Sequence, residues 1–550
     1  MPIRLELAVQ GMTCDDCARH VARALHSVPG VLSAHVPHWS AGKAEVVAAG
    51  EIPSEALEEA VARAGYRARV IRSEPVETSR GPEGDRRFDL MVIGGGSAAF
   101  AAAIRAAELG ARVAMVEAGT LGGTCVNVGC VPSKMLIRAL AVYHRAGAHG
   151  FQGVTTARGA LNWAALIAQK EALVTAMRRE KYEEVLAAYP QITLLRGRAR
   201  LIEGGAVAVN GETFAPARVI LATGARPWAP PIPGLAEAGY LTSTEALSLR
   251  ELPRSLIVIG ASAVGLELAQ VFARAGVTVT VLEALPRIVP FEEPEISAAL
   301  QGYLEQEGMV FHTGVRILRV ERSEGRALVH FEKDGRADAV SAERVLVATG
   351  RQANTEGLGL EAVGIAPGPK GEIPVTPYMQ TAHPTIYAAG DCTNLPMFVY
   401  VAAASGMVAA ENALLGNHKT LDLSALPRVT FTDPEVAAAG LTEAQAREQG
   451  YASKVSLLPL DLVPRARVAF DTRGLIKLVA DAETDRLLGV HVLAPEAGEV
   501  IQAGVLALKG GYTTRDLGNT LFPYLTWVEG LKLAAQGFVR DVARLSCCAG

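Results

Sequence analysis

Apolar and polar residues alternate through IRLELAV, residues 3 to 9, which predicts a strand with one buried face. The apolar period then changes to that of a helix in CARHVARALHSV. Two strand signals follow in AHVPHWS and KAEVVAA, then a helix in SEALEEAVARAG and a last strand in RARVI. The predicted order is β-α-β-β-α-β, a ferredoxin-like unit filling residues 1 to 72. SEPVETSRGPEGDRR, residues 73 to 87, is polar, carries Pro and Gly and has no apolar period, so it reads as a linker. From residue 88 the pattern becomes short Val/Ile-rich runs, each followed by an Ala-rich helical stretch, as in parallel sheets covered by helices. One such unit occurs twice, as FDLMVIGGGSAAFAAAIRAAELGARVAMVEAG and RSLIVIGASAVGLELAQVFARAGVTVTVLEALP. Both read strand, glycine turn, helix, strand and acid, and the interval from Gly94 to Glu117 equals that from Gly260 to Glu283.

A chain of 550 residues, 50% of them hydrophobic, has room for several buried cores. Its formal net charge is -4 with both signs interspersed and no basic block, so nucleic acid is not an expected partner. The start, MPIRLELAVQGMTC, lacks the apolar stretch of a secretory signal, and no later run reaches bilayer-spanning length without charges. The expectation is a cytoplasmic protein without membrane insertion. Its 7 cysteines are too few for a disulfide scaffold, yet six fall in pairs: Cys14 with Cys17, Cys125 with Cys130, Cys547 with Cys548. Only Cys392 stands alone. In a reducing cytosol such pairs point to metal binding or redox chemistry.

The repeated unit is the dinucleotide-binding pattern. In the first copy Gly94 permits the tight turn, Gly96 lets the backbone approach a pyrophosphate, and Ala99 occupies the small position where helix meets strand. Glu117 ends the second strand, where it accepts from ribose hydroxyls. The second copy has Gly260, Ser262 and Gly265, with Glu283 as its acid. A carboxylate there pairs with a 2′-hydroxyl and repels a 2′-phosphate, whereas nearby Arg287 offsets that repulsion, so NADH and NADPH both stay open. Two such sites argue for a nicotinamide that delivers hydride and a flavin that receives it. VILATGARP and VLVATGRQAN, carrying Gly224 and Gly350, read as returns of the chain to the glycine-rich edge of each sheet. TIYAAGDC places Asp391 for a flavin ribityl chain.

Within the first unit lies GGTCVNVGCVPSK, and with this C-x4-C the chain resembles the pyridine nucleotide-disulfide oxidoreductases, the flavoenzymes that include glutathione reductase and lipoamide dehydrogenase. Cysteines five apart in a glycine-containing turn at a helix start suit redox chemistry in their own right; a zinc half-site is the competing reading, without matching ligands nearby. The resemblance covers about residues 88 to 540 and implies FAD, a redox-active Cys125–Cys130 disulfide and a homodimer. It implies that Cys130 lies against the flavin and Cys125 faces substrate. It also implies that Gly122 and Thr124 line the FAD site and that Lys134 approaches the flavin edge, paired with Glu267. The expected fold class is α/β, with two doubly wound Rossmann-like FAD- and NAD(P)-binding domains, an α+β dimerisation domain and the ferredoxin-like N-terminal unit. The expected divisions are 88 to 226 and 345 to 424 for FAD, 227 to 344 for NAD(P), and 425 to 550 for dimerisation and the C-terminal tail.

Family members that reduce organic disulfides carry a C-terminal acid-base histidine in an H-P-x-x-x-E pattern. Here FPYLTWVEG has Tyr524 at that position and keeps Glu529. A phenol, with a pKa of about 10, is a poor proton shuttle at neutral pH, so the substrate does not call for a protonated thiol leaving group. The chain ends in SCCAG, and adjacent thiolates at a chain end suit a soft metal ion; a disordered ornament or a vicinal disulfide is the competing reading. GMTCDDCARHV, with Tyr66 later in GYRA, resembles the small heavy-metal-associated domains that pass soft metals between thiols. A thioredoxin-like C-x-x-C is disfavoured by the short domain. Taken together these features resemble the branch of the family that reduces Hg(II), which implies Hg(II)–thiol complexes as substrate and Cys14, Cys17, Cys125, Cys130, Cys547 and Cys548 as metal ligands. The same resemblance places Tyr182, in EKYEEVL, near the metal beside Tyr524; a helix-surface tyrosine is the alternative. Cys392 is expected to be buried and inert.

Overall fold

The computed structural model describes residues 3–75 and 88–545. Residues 76–87 of the expected linker and the Cys547 and Cys548 pair lie outside the described residues. The chain divides into two compact units: Met1–Cys125 with Met177–Arg226 and Gln352–Leu421, and Val126–Ala176 with Pro227–Arg351 and Asp422–Gly550.

The first unit holds two sheets that matter for function. In the N-terminal domain Ile3–Gln10 is flanked by Lys43–Ala48 and Arg67–Pro75, all antiparallel, with Val31–His35 at the edge. The helices Asp15–His26 and Ser54–Arg63 complete the ferredoxin-like order. Two sequence expectations shift here. The last strand runs to Pro75 because residues 73–75 pair with Leu5, Arg4 and Ile3, so the domain ends three residues later than residue 72. The second strand stops at His35; Pro37 follows, which has no N–H for a ladder, and Trp39–Ala41 forms a 3-10 turn instead. Arg4 Nη2 donates to the Leu415 carbonyl at 2.7 Å, and Leu32 and Val47 pack against Leu109, Leu414 and Leu415.

The larger sheet of this unit is parallel, in the order Ile386–Ala388, Arg218–Leu221, Leu90–Ile93, Val113–Glu117, Ile192–Arg196. Its central strand Leu90–Ile93 is buried throughout, as an unbroken LMVI run between helical layers requires. Against it pack Ser97–Glu108 and Val399–Leu415, whose backbones come close at Gly406; a Cβ there would stand 2.2 Å from the Ala98 carbonyl oxygen.

The second unit carries a four-stranded parallel sheet in the order Val310–Thr313, Thr278–Glu283, Ser255–Ile259, Arg344–Val347. Because Arg344–Val347 pairs with Ser255–Ile259, the boundary expected between 344 and 345 falls inside this sheet, and the chain leaves it near residue 351. A five-stranded antiparallel sheet, Arg428–Thr430, Glu435–Gly440, Leu487–Ala494, Leu475–Asp481, Ser453–Pro459, forms the C-terminal domain. The helical run Gly123–Arg145 is long and apolar enough to cross a membrane by length and composition, but it carries Lys134 and Arg138 and buries Leu136 and Leu140 in this unit's core.

Candidate active site

The two glycine turns are built alike. Gly94 has φ +129° and Gly260 φ +105°, a region that L side chains rarely adopt. A Cβ on Gly94 would stand 2.2 Å from the Ala222 carbonyl oxygen, and one on Gly260 would stand 2.6 Å from that of Ala348. The two ATG segments, ending in Gly224 and Gly350, are therefore what crowds each turn. They are tied in the same way, Ala222 N–H donating to Ile93 O and Ala348 N–H to Ile259 O, both at 2.8 Å.

The helices that follow start with open amides. Gly96 caps Ser97–Glu108 and Ser262 caps Ala263–Arg274, neither with a side-chain hydrogen bond, which leaves N–H groups and the positive helix end for a phosphate. Ala99 is fully buried at the helix–strand contact, and Gly265 sits where a Cβ would stand 2.0 Å from the Gly260 carbonyl oxygen. In the first unit Gly122 N–H donates to Gly95 O at 2.7 Å, next to Gly123, where a Cβ would meet Gly96 Cα at 2.7 Å. Thr124 continues this loop as the second residue of the helix Gly123–Val128. A Cβ on Gly95 would come within 2.6 Å of Glu117 Oε2, so the acid lies directly against the turn. The residues fit a dinucleotide: a cradle that side chains would fill, uncapped amides for phosphate and an acid beside them.

Glu283 is buried, accepting from Ala261 N–H at 2.7 Å and Leu285 N–H at 2.8 Å. Arg287 faces elsewhere: its Nη2 donates to the carbonyls of Pro290 and Glu292 at 2.8 and 3.1 Å. The acid is held by backbone amides beside the second glycine turn, and the arginine by its own loop. Asp391 lies in the 3-10 turn Gly390–Cys392, half-buried. Cys392 is fully buried as expected, donating to Leu221 O and Ala389 O, and burial pushes its thiol pKa up.

Cys125 is half-buried in the helix Gly123–Val128, and exposed Cys130 opens the helix Cys130–Arg145 after Gly129, where the helix dipole favours negative charge. One turn on, Lys134 Nζ donates to Glu267 Oε2 at 2.7 Å. Phe431, not foreseen from sequence, completes the pair: its N–H donates to Glu267 Oε1 at 2.9 Å, and its ring lies 4.5 Å beneath the Lys134 ammonium. Nothing in residue spacing signals a contact between such distant segments. Tyr524 is 48% exposed, while Glu529 is buried, accepts from Leu525 N–H at 3.1 Å and has its pKa raised by burial. Tyr182 lies half-buried in the π-helical segment Arg179–Glu183, its ring edge-on to that of Phe100.

In the N-terminal domain buried Met12 anchors the loop, and Cys14 Sγ lies 3.4 Å from Cys17 Sγ. The Cys17 pKa is lowered to about 6, first by the Tyr66 hydroxyl donating to its sulfur, then by the Thr13 backbone and hydroxyl and by Cys14. Thr13 Oγ1 is 3.6 Å from the same sulfur. At neutral pH Cys17 is a thiolate, the form that binds metal.

Residues 88–406 match the family described as pyridine nucleotide-disulphide oxidoreductase, 426–535 its dimerisation domain, and 6–67 the heavy-metal-associated domain. The chain is 44% identical to a mercuric reductase of Staphylococcus aureus over 548 residues, covering 99% of each. It is 46% identical to the mercuric reductase of Acidithiobacillus ferrooxidans (99% of each chain) and 45% to that of Shigella flexneri (99% of this chain, 100% of the other). Among solved structures, the HOCl-induced flavoprotein disulfide reductase RclA from Escherichia coli superposes with TM-score 0.72 at 30% identity, covering 80% of this chain and 98% of that one. With its repeated nucleotide turns, its C-x4-C and an N-terminal thiol domain all in place, the chain belongs to the pyridine nucleotide-disulphide oxidoreductases and, within that family, to the mercuric reductases.

Proposed function

We propose that this chain reduces Hg(II) to volatile Hg(0) with electrons from NAD(P)H, and that its thiol pairs relay the metal. The observation that carries the reading is end-to-end similarity to mercuric reductases together with the heavy-metal-associated domain. Gly94, Gly96, Ala99, Glu117, Gly122, Thr124, Gly224 and Asp391 would hold FAD, with Lys134 at the flavin edge. Gly260, Ser262, Gly265, Glu283 and Gly350 would hold NAD(P)H. When bound, FAD supplies the passage of two electrons from nicotinamide hydride to the cysteine pair and its metal.

The chain's own contribution is sulfur chemistry. The Cys17 thiolate attacks a Hg(II)–thiol complex, forming one Hg–S bond as a small thiolate leaves; Cys14 displaces the second and gives up its proton to solvent. Cys547 and Cys548 alternatively take the metal directly from small thiols, and the same exchange moves it inward to Cys125 and Cys130. Because every Hg–S bond broken is replaced by another, no step releases the ion, and barriers stay low. Two electrons from one NAD(P)H first open Cys125–Cys130 to the dithiol that accepts the metal; two from a second reduce the bound Hg(II), and neutral Hg(0) leaves because thiolates hold it poorly. Tyr182 and Tyr524 stand by the metal, and the acid-base histidine of disulfide reduction is not required. Helix-start position at Cys130 favours its thiolate.

The protein works as a homodimer in which the tail dithiol serves the partner's Cys125 and Cys130. The match to a dimerisation domain supports the homodimer, as does Leu521, 92% exposed on that domain. The test is Hg(II)-dependent oxidation of NADPH and of NADH in excess thiol, with mercury vapour collected. Nicotinamide oxidation with vapour is expected; none evolved would end the reading. Turnover of oxidised glutathione or lipoamide in its place would assign a disulfide reductase.

A further inference from the structure

The chain from Trp163 to Ala187 is one continuous helical run, yet its middle is not α-helical. Trp163–Arg178 is α, Arg179–Glu183 is π, and Glu184–Ala187 is α again, with helical backbone angles at both junctions. A π turn inserts one residue into the α register; such turns are rare and frequently lie at functional sites. No Pro or Gly lies in MRREKYEEVL to force it.

The side chains show what holds it. Arg178 Nε lies 3.6 Å from Glu183 Oε1, and Arg179 Nε lies 3.3 Å from Glu184 Oε1. Both pairs are five residues apart. On an α-helix such positions diverge by roughly 140° around the axis, whereas a π turn stacks them. Both pairs are solvated, and exposed pairs are weak singly. Between them sits Tyr182, half-buried, its ring 4.9 Å from that of Phe100 at 83°. Phe100 is 5% exposed in the helix Ser97–Glu108, and its N–H donates to the Gly96 carbonyl at 2.9 Å. Tyr182 is thus registered against the helix that begins at the first glycine turn.

We infer that this π turn is a register device for Tyr182, with Phe100, Arg178, Arg179, Glu183 and Glu184 as positioning residues that fix where its phenol meets the metal. The inference rests on the reading above that Tyr182 stands by Hg(II). In an α register everything on one side of the inserted residue rotates by about 100°, which carries Tyr182 off Phe100.

The test uses the full-length holoenzyme with a fluorotyrosine built in at position 182. Tyr182→Phe is the reference and lowers kcat with Hg(II). Arg178→Glu and Glu183→Arg each shift the fluorine resonance and lower kcat several-fold, more than they change KM, while the rate of flavin reduction by NAD(P)H holds. The doubly reversed variant restores both the resonance and kcat. Phe100→Leu lowers kcat roughly ten- to a hundredfold, as misplacement of a reacting group by about 1 Å does. If Tyr182→Phe slows Hg(II) reduction but the charge variants keep wild-type resonance and kcat, the register inference is overturned and the function stands. If Tyr182→Phe itself turns over Hg(II) at the wild-type rate, the metal role of Tyr182 falls, and this inference with it. Should Phe100→Leu not fold, the surface charge variants decide alone.

Discussion

Lys134 and Glu267, 133 positions apart in the chain, meet at 2.7 Å. Glu267 is 5% exposed and Lys134 33%, so the carboxylate depends on its partners far more than the ammonium does. Lys134→Met leaves Glu267 buried with only the Phe431 amide, and is expected to destabilise by about 2 kcal/mol, the range for losing a hydrogen bond to a charged group. Lys134→Met combined with Glu267→Leu should cost less than the sum of the two, because the orphaned charge is gone. A double-mutant cycle on thermal unfolding measures this, and strict additivity would contradict a coupled pair.

The Tyr66–Cys17 contact has a pH signature. The folded thiol titrates at about 6 against an ordinary value of 9.0, so its stabilisation is present above the ordinary value and is lost as pH falls through about 6. Alkylation of Cys17, followed by mass spectrometry on the whole protein, should rise with a midpoint near pH 6 and level off by pH 8. Tyr66→Phe removes the largest cause and moves that midpoint toward 9. A midpoint that ignores Tyr66 would put the cause elsewhere.

Glu283 accepts from two backbone amides and Arg287 is tied to its own loop, and the proposed nicotinamide site makes these two residues the test of cofactor choice. Glu283→Gln removes the charge that opposes a 2′-phosphate. It should raise kcat/KM for NADPH relative to NADH by about tenfold, equal to 1.4 kcal/mol. Arg287→Ala should move the ratio little, since its guanidinium is already engaged; a large shift would show that the arginine turns toward phosphate on binding.

Deleting residues 547 to 550, or changing both Cys547 and Cys548 to Ala, should slow turnover of thiol-complexed Hg(II) while the rate of flavin reduction by NAD(P)H stays as it was. Equal loss in both would place the tail's effect on the fold instead of on metal transfer. Mixing tail-deleted subunits with subunits lacking Cys125 and Cys130 tests transfer across the dimer, because only mixed dimers join one intact tail to one intact acceptor pair.

The glycine turns were legible because their constraint is local. Gly94 and Gly260 need a positive φ, and the run that follows each of them has a helix's apolar period. The order of the N-terminal domain was legible for the same reason, except at the end of the second strand, which stops short of Pro37, and at residues 73–75, where pairing with Leu5, Arg4 and Ile3 and not the segment's own composition set the end. Lys134 with Glu267 was foreseen only through family resemblance, and the third member, Phe431, was not foreseen at all.

By itself, then, the sequence determined what depends on neighbouring residues: which stretches bury a face, where only glycine fits, which thiols come in pairs. Tertiary packing decided what depends on distant ones: that Arg344–Val347 belongs to the second sheet, that Arg287 turns to its own loop, and that REKYE winds as a π turn against Phe100. The reason is physical. Dihedral preference and hydrophobic period act over a few residues and can be read in order, whereas an ion pair or an edge-on ring contact exists only once packing has brought its two halves together.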